Sequence, residues 1–307
     1  MRNKRFLKLF LIVFACVGMV AYQSCNTCNR QRFINDVTID LSGTLIDSTY
    51  FSMAQKVIYA LPTPVELSVL IKNSGVAWMP SLLNNPSDAS NYLTNQKMAL
   101  NLGAYLIDLT YAGLFSQTQT ALRYKLAIQH LSEGLGLQAA FNINTLRSIE
   151  DNINDKDRLL QIISEAYAAC MATFEESDRY FLTLTLLAGA WVESMYLATT
   201  SFDANLFQNE ERIRLLVIDL ILTFDMIWHV MSDFRNTPGI EELMNELSGL
   251  AYYLDRIGVE HDDNVVTVST DTNVSEISSS NYVDVTPEAF NNIREQIHSL
   301  RFKFTSI

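Results

Sequence analysis

The chain has 307 residues, of which 49% are hydrophobic and 18% are charged, and its formal net charge is −12. This balance is typical of a folded globular protein and argues against a disordered chain. We expect no nucleic-acid partner, because binding to phosphate backbones depends on clustered Lys and Arg at the surface.

Residues 1–24 have the pattern of a signal peptide. A basic stretch, MRNKRFLK, precedes LFLIVFACVGMVA, an apolar run shorter than the roughly 20 residues that span a bilayer. The next residues, YQSC, resemble the lipobox of bacterial lipoprotein precursors, although Tyr22 stands where such boxes usually carry Leu. The resemblance implies lipidation at Cys25. Plain secretion and an uncleaved anchor are the alternatives.

The residues after Cys25 bear on where such a lipoprotein would reside. By the same resemblance, Asn26 is not the Asp that commonly retains lipoproteins in the inner membrane, and NTCNRQR is not an acidic surface-export signal. We therefore predict an outer-membrane anchor facing the periplasm, a tether over 25–47 and a single helical domain over 48–307. An oxidising compartment permits a Cys28–Cys170 bridge, with a buried free thiol at Cys170 as the alternative.

The stretch DLSGTLIDS, residues 40–48, resembles the first motif of haloacid-dehalogenase-type phosphohydrolases. The resemblance maps the nucleophile to Asp40, but Ser42 stands where the acid/base aspartate is usual, and it cannot protonate a leaving group as a carboxyl can. Such enzymes also need a parallel sheet, whereas the sequence after Tyr50 has helical periodicity. We interpret the stretch as the end of the tether, with Gly43 in a turn.

Apolar residues recur at helical spacing through most of the remaining chain. The clearest case is the helix after the candidate cap Asn154, in which one face carries a regular apolar stripe, formed by Leu159, Ile163, Ala166, Cys170 and Phe174. A second apolar helix follows from residue 177. Further helices are predicted over 50–61, 64–73, 88–115, 118–134, 138–152, 206–233, 239–257 and 287–303. The predicted fold class is all-α, an irregular multi-helix bundle or an array of antiparallel helix pairs.

One segment near the C-terminus interrupts this pattern. Residues 259–285 are rich in Ser, Thr, Asp, Asn and Val. Such a composition predicts a long, acidic, solvated loop, in which VVTVS is the candidate for a short hairpin.

Two apolar segments, 181–197 and 213–231, could be taken for membrane spans. They contain Glu193, Asp219 and Asp225, and each charge at the centre of a membrane helix costs about 2.5–3.5 kcal/mol on insertion. We therefore predict two core helices instead.

Several polar residues interrupt these apolar helices. Asn101, Tyr105 and Asp108 share one face of a predicted helix, and Glu193 lies between Trp191 and Tyr196 in another. A buried carboxylate must be paired, or its pKa must rise. The group Asn101, Tyr105, Asp108, Trp191 and Glu193 therefore predicts either a structural polar network or a ligand pocket, with Arg123, Arg179, Arg212 and Arg214 as candidate cations.

No metal or cofactor is expected. The best candidate set of metal ligands is Asp225, His229 and Asp233, which lie four residues apart on one helix face. A histidine at the edge of the core with a carboxylate partner is the favoured interpretation, because HExxH and paired-cysteine patterns are missing from the sequence.

The stretches YALPTPVEL, NLGAYLIDLTYAGL and SEGLGL resemble an uncharacterised family of all-helical bacterial envelope lipoproteins, over about residues 50–255. The resemblance implies a fold and a location but no activity. The leading hypothesis is a lipid-anchored, non-enzymatic domain that binds a protein partner or supports the envelope. A small-ligand or apolar-ligand binding module is the alternative, and a hydrolase is the third hypothesis.

Overall fold

The computed structural model describes residues 61–306, apart from 256, 258, 262–264, 269–274, 279–280 and 284, and for 259–283 it describes the backbone only. This part of the chain is all-α, as predicted, apart from short strands near its end. Its α-helices are α1 (Pro64–Asn73), α2 (Asn95–Leu114), α3 (Thr118–Gly134), α4 (Ile143–Asp151), α5 (Lys156–Glu176), α6 (Tyr180–Thr200), α7 (Ala204–Asn209), α8 (Glu211–Asp233), α9 (Ile240–Asp255) and α10 (Pro287–Thr305).

Side-chain caps determine several helix starts. α1 begins with a capping box, in which the Thr63 backbone N–H donates to the Glu66 carboxylate and the Glu66 N–H donates to the Thr63 hydroxyl. Thr94 caps α2, and Asp155, rather than the predicted Asn154, caps α5. Thr286 caps α10. These caps satisfy backbone N–H groups that have no partner within the helix.

α2 and α6 pack most closely together at the centre of the fold. Gly103 of α2 lies against the backbone of Leu186 and Ala190, and Gly189 of α6 lies against the backbone of Leu100. A Cβ atom at either glycine would overlap main-chain atoms of the other helix. These two small residues therefore permit the close helix contact that the core requires.

Three predicted helices differ from the structure by several residues or in number. The predicted helix 88–115 begins only at Asn95, because Asn85 and Pro86 start a short 3-10 helix, Pro86–Asn91, which follows another, Pro80–Leu82. The predicted helix 138–152 begins at Ile143, where Asn142 supplies the cap. The predicted helix 206–233 is two helices, since Glu210 has an extended backbone between α7 and α8.

The C-terminal loop contains two antiparallel ladders. Strand β1 (Val259–His261) pairs with β4 (Asn281–Val283), and β2 (Val265–Val268) pairs with β3 (Ser275–Ser278). The predicted hairpin around VVTVS therefore corresponds to β2 and its partner.

The described residues all belong to one compact unit, which spans 49–307. The predicted signal peptide, the tether and residues 50–60 of the first predicted helix lie outside the described residues, as do Cys25, Cys28 and Asp40. The predicted stripe on α5 is buried throughout, and its Cys170 is a free thiol.

Two helices, α6 and α8, are long and apolar enough to cross a membrane by length and composition alone. The core helix of a folded domain passes the same test. In α6, 89% of the apolar stretch is buried inside the fold, but in α8 only 50% is buried.

Candidate functional site

Asn84, in the connection between the two 3-10 helices, brings two buried acidic residues together. Its backbone N–H and its Nδ2 each donate to Asp108 Oδ2 at 3.2 Å, and Nδ2 also donates to Glu193 Oε2 at 2.9 Å. Asp108 is 0% exposed and Glu193 is 1% exposed. The side chain of Asn84 thus bridges α2 and α6 in the interior of the fold.

Arg301 of α10 completes this group. Its Nε lies 2.7 Å from Glu193 Oε2, and its Nη2 lies 3.0 Å from Oε1, so the pair is bidentate. Nη2 also donates to the Leu82 carbonyl at 2.8 Å, and the guanidinium lies 3.9 Å from the centre of the Tyr196 ring. We call Asn84, Asp108, Glu193 and Arg301 the acid–arginine cluster.

The two acids of the cluster have different surroundings. Desolvation, followed by the Glu193 charge, holds the pKa of Asp108 well above its usual range. Burial alone would lower the pKa of Arg301, but the Glu193 carboxylate more than offsets this, and the pKa lies above its usual value. Asp108 Oδ1 accepts no hydrogen bond from any residue that the structure describes. The cluster therefore holds one ion pair, Glu193 with Arg301, beside Asp108, whose neutral form is favoured by burial.

Three tyrosines fix the connection that carries Asn84. The hydroxyls of Tyr111, Tyr105 and Tyr124 donate to the carbonyls of Ala77, Asn85 and Asn84 at 2.6, 2.9 and 2.6 Å, respectively. Burial raises the pKa of all three phenols, to about 12 for Tyr111. They therefore act as neutral donors that hold the connection against α2 and α3.

A second polar group holds the end of α10. Lys97 Nζ donates to the carbonyls of Lys303, Phe304 and Ser306 at 2.6, 3.3 and 3.0 Å. Asn101 Nδ2 also donates to the Phe304 carbonyl, at 3.0 Å. Because the last carbonyls of a helix have no partner within it, this ammonium and amide act as a cap supplied by α2.

The structure divides the predicted site residues among different places. Asp108 and Glu193 share the acid–arginine cluster, and Tyr105 holds its connection. Asn101 instead binds the end of α10, and Trp191 Nε1 donates to the Leu220 carbonyl of α8 at 2.7 Å. These five residues therefore do not converge on one cavity.

The cation of the cluster is none of the four arginines that the sequence suggested. For example, Arg179 donates to the Leu135 carbonyl and Arg214 to the Gln208 carbonyl. A signal for Arg301 was present, since it occupies the apolar face of its helix with Ile297, Leu300 and Phe304. No comparable signal marks Asn84, which lies in a connection without periodicity.

The candidate metal ligands do not form a metal site. His229 Nδ1 lies 3.2 Å from Asp225 Oδ1 and 2.8 Å from the Asp225 carbonyl, and the His229 side chain is 70% exposed. Among the residues that the structure describes, no group of three His, Cys, Asp or Glu side chains could hold a metal ion.

A cavity of about 300 Å³ lies elsewhere, between α4 and α5. Its floor includes Ala140 and Ala166, and its rim includes Asn144, Arg158 and Glu165. It is separate from the acid–arginine cluster, since no cluster residue lines it.

The carboxyl groups of Asp108 and Glu193 are closed to solvent, and only 15% of the Arg301 side chain is exposed, so a substrate could reach these carboxyl groups only if helices moved apart. The ion pair and hydrogen bonds of the cluster hold α2, α6 and α10 together. Searches against protein-family models, curated proteins and solved structures each found no match.

Proposed function

We propose that this chain is a lipid-anchored bacterial envelope protein whose helical domain acts by binding a protein partner. The observation that carries the proposal is the internal use of the buried ionisable groups among the described residues. Glu193 and Arg301 pair with each other, and Asp108 is buried beside them. Groups that hold helices together are not free to act on a substrate, and this favours binding over catalysis.

The proposed anchor rests on the sequence. The basic stretch, the apolar run and the lipobox-like YQSC together support cleavage before Cys25 and lipidation of that residue. The net charge of −12 makes electrostatic adhesion to anionic lipid unfavourable, so membrane attachment would depend on the lipid itself.

Mass spectrometry of the mature N-terminus tests the anchor. We expect an acylated N-terminal Cys25 in the membrane fraction, and a Cys25→Ser variant that is neither lipidated nor retained there. An unmodified Cys25 in a membrane-bound wild-type chain would overturn the proposed anchor.

Partner binding is tested by crosslinking the anchored chain in cells. We expect the wild-type chain to give one defined crosslinked product with its partner. A chain that crosslinks to nothing, and that co-purifies with a stoichiometric small molecule, would support the alternative of a ligand-binding module. The cavity between α4 and α5 is the observation that favours this alternative, and Ala166→Leu, which would fill its floor, should then displace the molecule.

A further inference from the structure

α8 has a second apolar side that the core covers only in part, since Ile218, Leu222 and Met226 pack against the core and remain partly exposed. Leu215, Ile218, Leu222 and Met226 follow one another at spacings of three and four residues, which places them on one face of the helix. Leu215 is 51% exposed, and the other three are partly exposed. We call these four residues the α8 outer face.

The opposite side of α8 packs into the core. Leu220 accepts a hydrogen bond from Trp191 of α6, and the rings of Phe224 and Trp191 lie 4.7 Å apart. α7, α9 and α1 also contact α8, yet half of its apolar stretch stays unburied. A helix with an apolar outer side in addition to its core side has the pattern of a docking surface.

Acidic residues flank the α8 outer face. Between Leu215 and the end of the helix, the ionisable residues are Asp219, Asp225, His229 and Asp233, and the sequence has no Lys or Arg there. Partial burial raises the pKa of Asp219. The arginines of this helix are confined to its first turn.

This charge pattern selects among possible occupants. A two-fold pairing of the helix with a second copy, centred on Leu222, would place Asp219 of one copy beside Asp225 of the other, and like charges at such distances repel. Anionic lipid headgroups would be repelled for the same reason. A protein helix with cations beside its apolar ridge is complementary in both shape and charge.

We infer that the α8 outer face is the docking site for an amphipathic helix of a partner protein, with Lys or Arg on both sides of its apolar ridge. The inference rests on the proposed partner-binding function and names the surface and the partner's chemistry. Apolar contact supplies the affinity, and the acidic rim selects the partner.

Two synthetic helical peptides of about 20 residues, the length of α8, provide the probe. They share one leucine ridge, and they differ only in that Lys or Glu flanks it. Fluorescence anisotropy with the full-length protein should show that the Lys peptide binds at least about tenfold more tightly than the Glu peptide. This difference in affinity should become smaller as the salt concentration rises. Equal binding of both peptides would contradict the role of the acidic rim.

Variants then locate the binding surface. Leu215→Ser combined with Leu222→Ser should lower the affinity of the protein for the Lys peptide by about tenfold or more, because apolar contact area is lost. Leu126→Ser, at a 59% exposed leucine of α3, is the matched control and should leave binding unchanged. Circular dichroism checks that all variants keep the fold. Binding that survives the double substitution would overturn the inference.

A charge exchange tests the rim directly. Asp219→Lys combined with Asp233→Lys should reverse the preference, so that the Glu peptide binds more tightly than the Lys peptide. An unchanged preference would show that these acids do not face the ligand.

The other occupants have their own outcomes. Binding to neutral phosphatidylcholine vesicles, lost in the Leu215→Ser and Leu222→Ser variant, would assign the face to a membrane. A dimer in sedimentation that the same variant dissociates would assign it to a second copy. If the variant keeps the crosslinked partner of the anchored chain in cells, the proposed function stands and only this surface is wrong.

Discussion

α6 and α8 are similar in composition and different in environment. Both are long and apolar enough to span a membrane by length and composition, but 89% of the apolar stretch is buried in α6 and only 50% in α8. α6 packs against α2, α10 and α8, whereas α8 contacts α6, α1, α7 and α9 and still leaves half of its apolar stretch incompletely buried.

The polar residues of the two helices show the same difference. Glu193 of α6 is 1% exposed and is held by two protein partners, Arg301 and Asn84. Asp219 of α8 lies at the surface, where it is partly desolvated but remains in contact with water. Apolar composition therefore does not determine the role of a helix, and the partners of its few charges are more informative. The predictions below test this contrast, beginning with the largest expected effect.

Arg301→Ala should destabilise the fold by about 3–5 kcal/mol, because it leaves Glu193 buried without its counter-charge. Urea denaturation followed by circular dichroism measures the change. Lys303→Ala is the matched control on the same helix, since its partner Glu246 is not deeply buried and its pair should contribute about 1 kcal/mol or less.

The double variant Glu193→Gln with Arg301→Met sharpens this test. We expect it to be more stable than Arg301→Ala alone, because no buried charge remains. If the single variant unfolds at the same urea concentration as wild type, the ion pair does not hold α10 to α6.

Gly189→Ala should destabilise the fold by about 3 kcal/mol, since its methyl group would overlap the Leu100 main chain, which cannot rotate away as a side chain can. The matched control is Gly249→Ala in α9, where a Cβ atom meets nothing within 4 Å. That control should raise stability by about 0.5–1 kcal/mol, because alanine is the better helix former. Equal effects of the two substitutions would contradict the close contact of α2 and α6.

Leu184→Ala and Leu215→Ala compare the same substitution on the two helices. Leu184 is 0% exposed, so its truncation should cost about 2–5 kcal/mol through lost burial and a new cavity. Leu215 is 51% exposed, so its truncation should change stability by about 0.5 kcal/mol or less. Thermal unfolding of both variants measures the two losses of stability. A large loss of stability in Leu215→Ala would mean that this side of α8 is covered.

Asp108→Asn should alter the pH dependence of stability. Because the folded pKa of Asp108 lies above its ordinary 3.8, the unfolded chain loses this proton first as pH rises. The stability that the protonated group contributes is complete below the unfolded pKa and falls as pH rises toward the folded pKa, by up to about 1.4 kcal/mol per pH unit. Asparagine cannot titrate, so the stability of the variant relative to wild type should increase as pH rises above about 4, until the folded pKa of Asp108 is passed. Parallel stability curves for the two proteins would contradict a raised pKa at Asp108.

Local signals in the sequence determined most of the fold. α1 and α3 have the predicted bounds, because Pro64 and Thr63 mark the start of one, and the turn after Gly134, with Gly136 at φ +72°, ends the other. The predicted start of α2 was wrong by seven residues, because residues 88–91 belong to the 3-10 helix Pro86–Asn91. Composition alone does not distinguish a 3-10 helix from the first turn of an α-helix.

The candidate site was predicted in part. Asp108 and Glu193 stood out because carboxylates in apolar helices need an explanation. Their partners could not be identified from spacing, since Asn84 lies 109 positions from Glu193 and Arg301 lies 108 positions away on the other side. Contacts of this range depend on tertiary packing, which periodicity does not encode.

The distance along the chain from Glu193 to Arg301 also affects the order of events during synthesis. A ribosome releases the carboxylate long before its counter-charge, and α2 is made before the carbonyls that Lys97 will cap. The contacts of α10 with α2 and α6 therefore form only after the last helix has emerged. Any chain that ends before Arg301 would carry an unpaired buried acid, which would expose it to proteolysis.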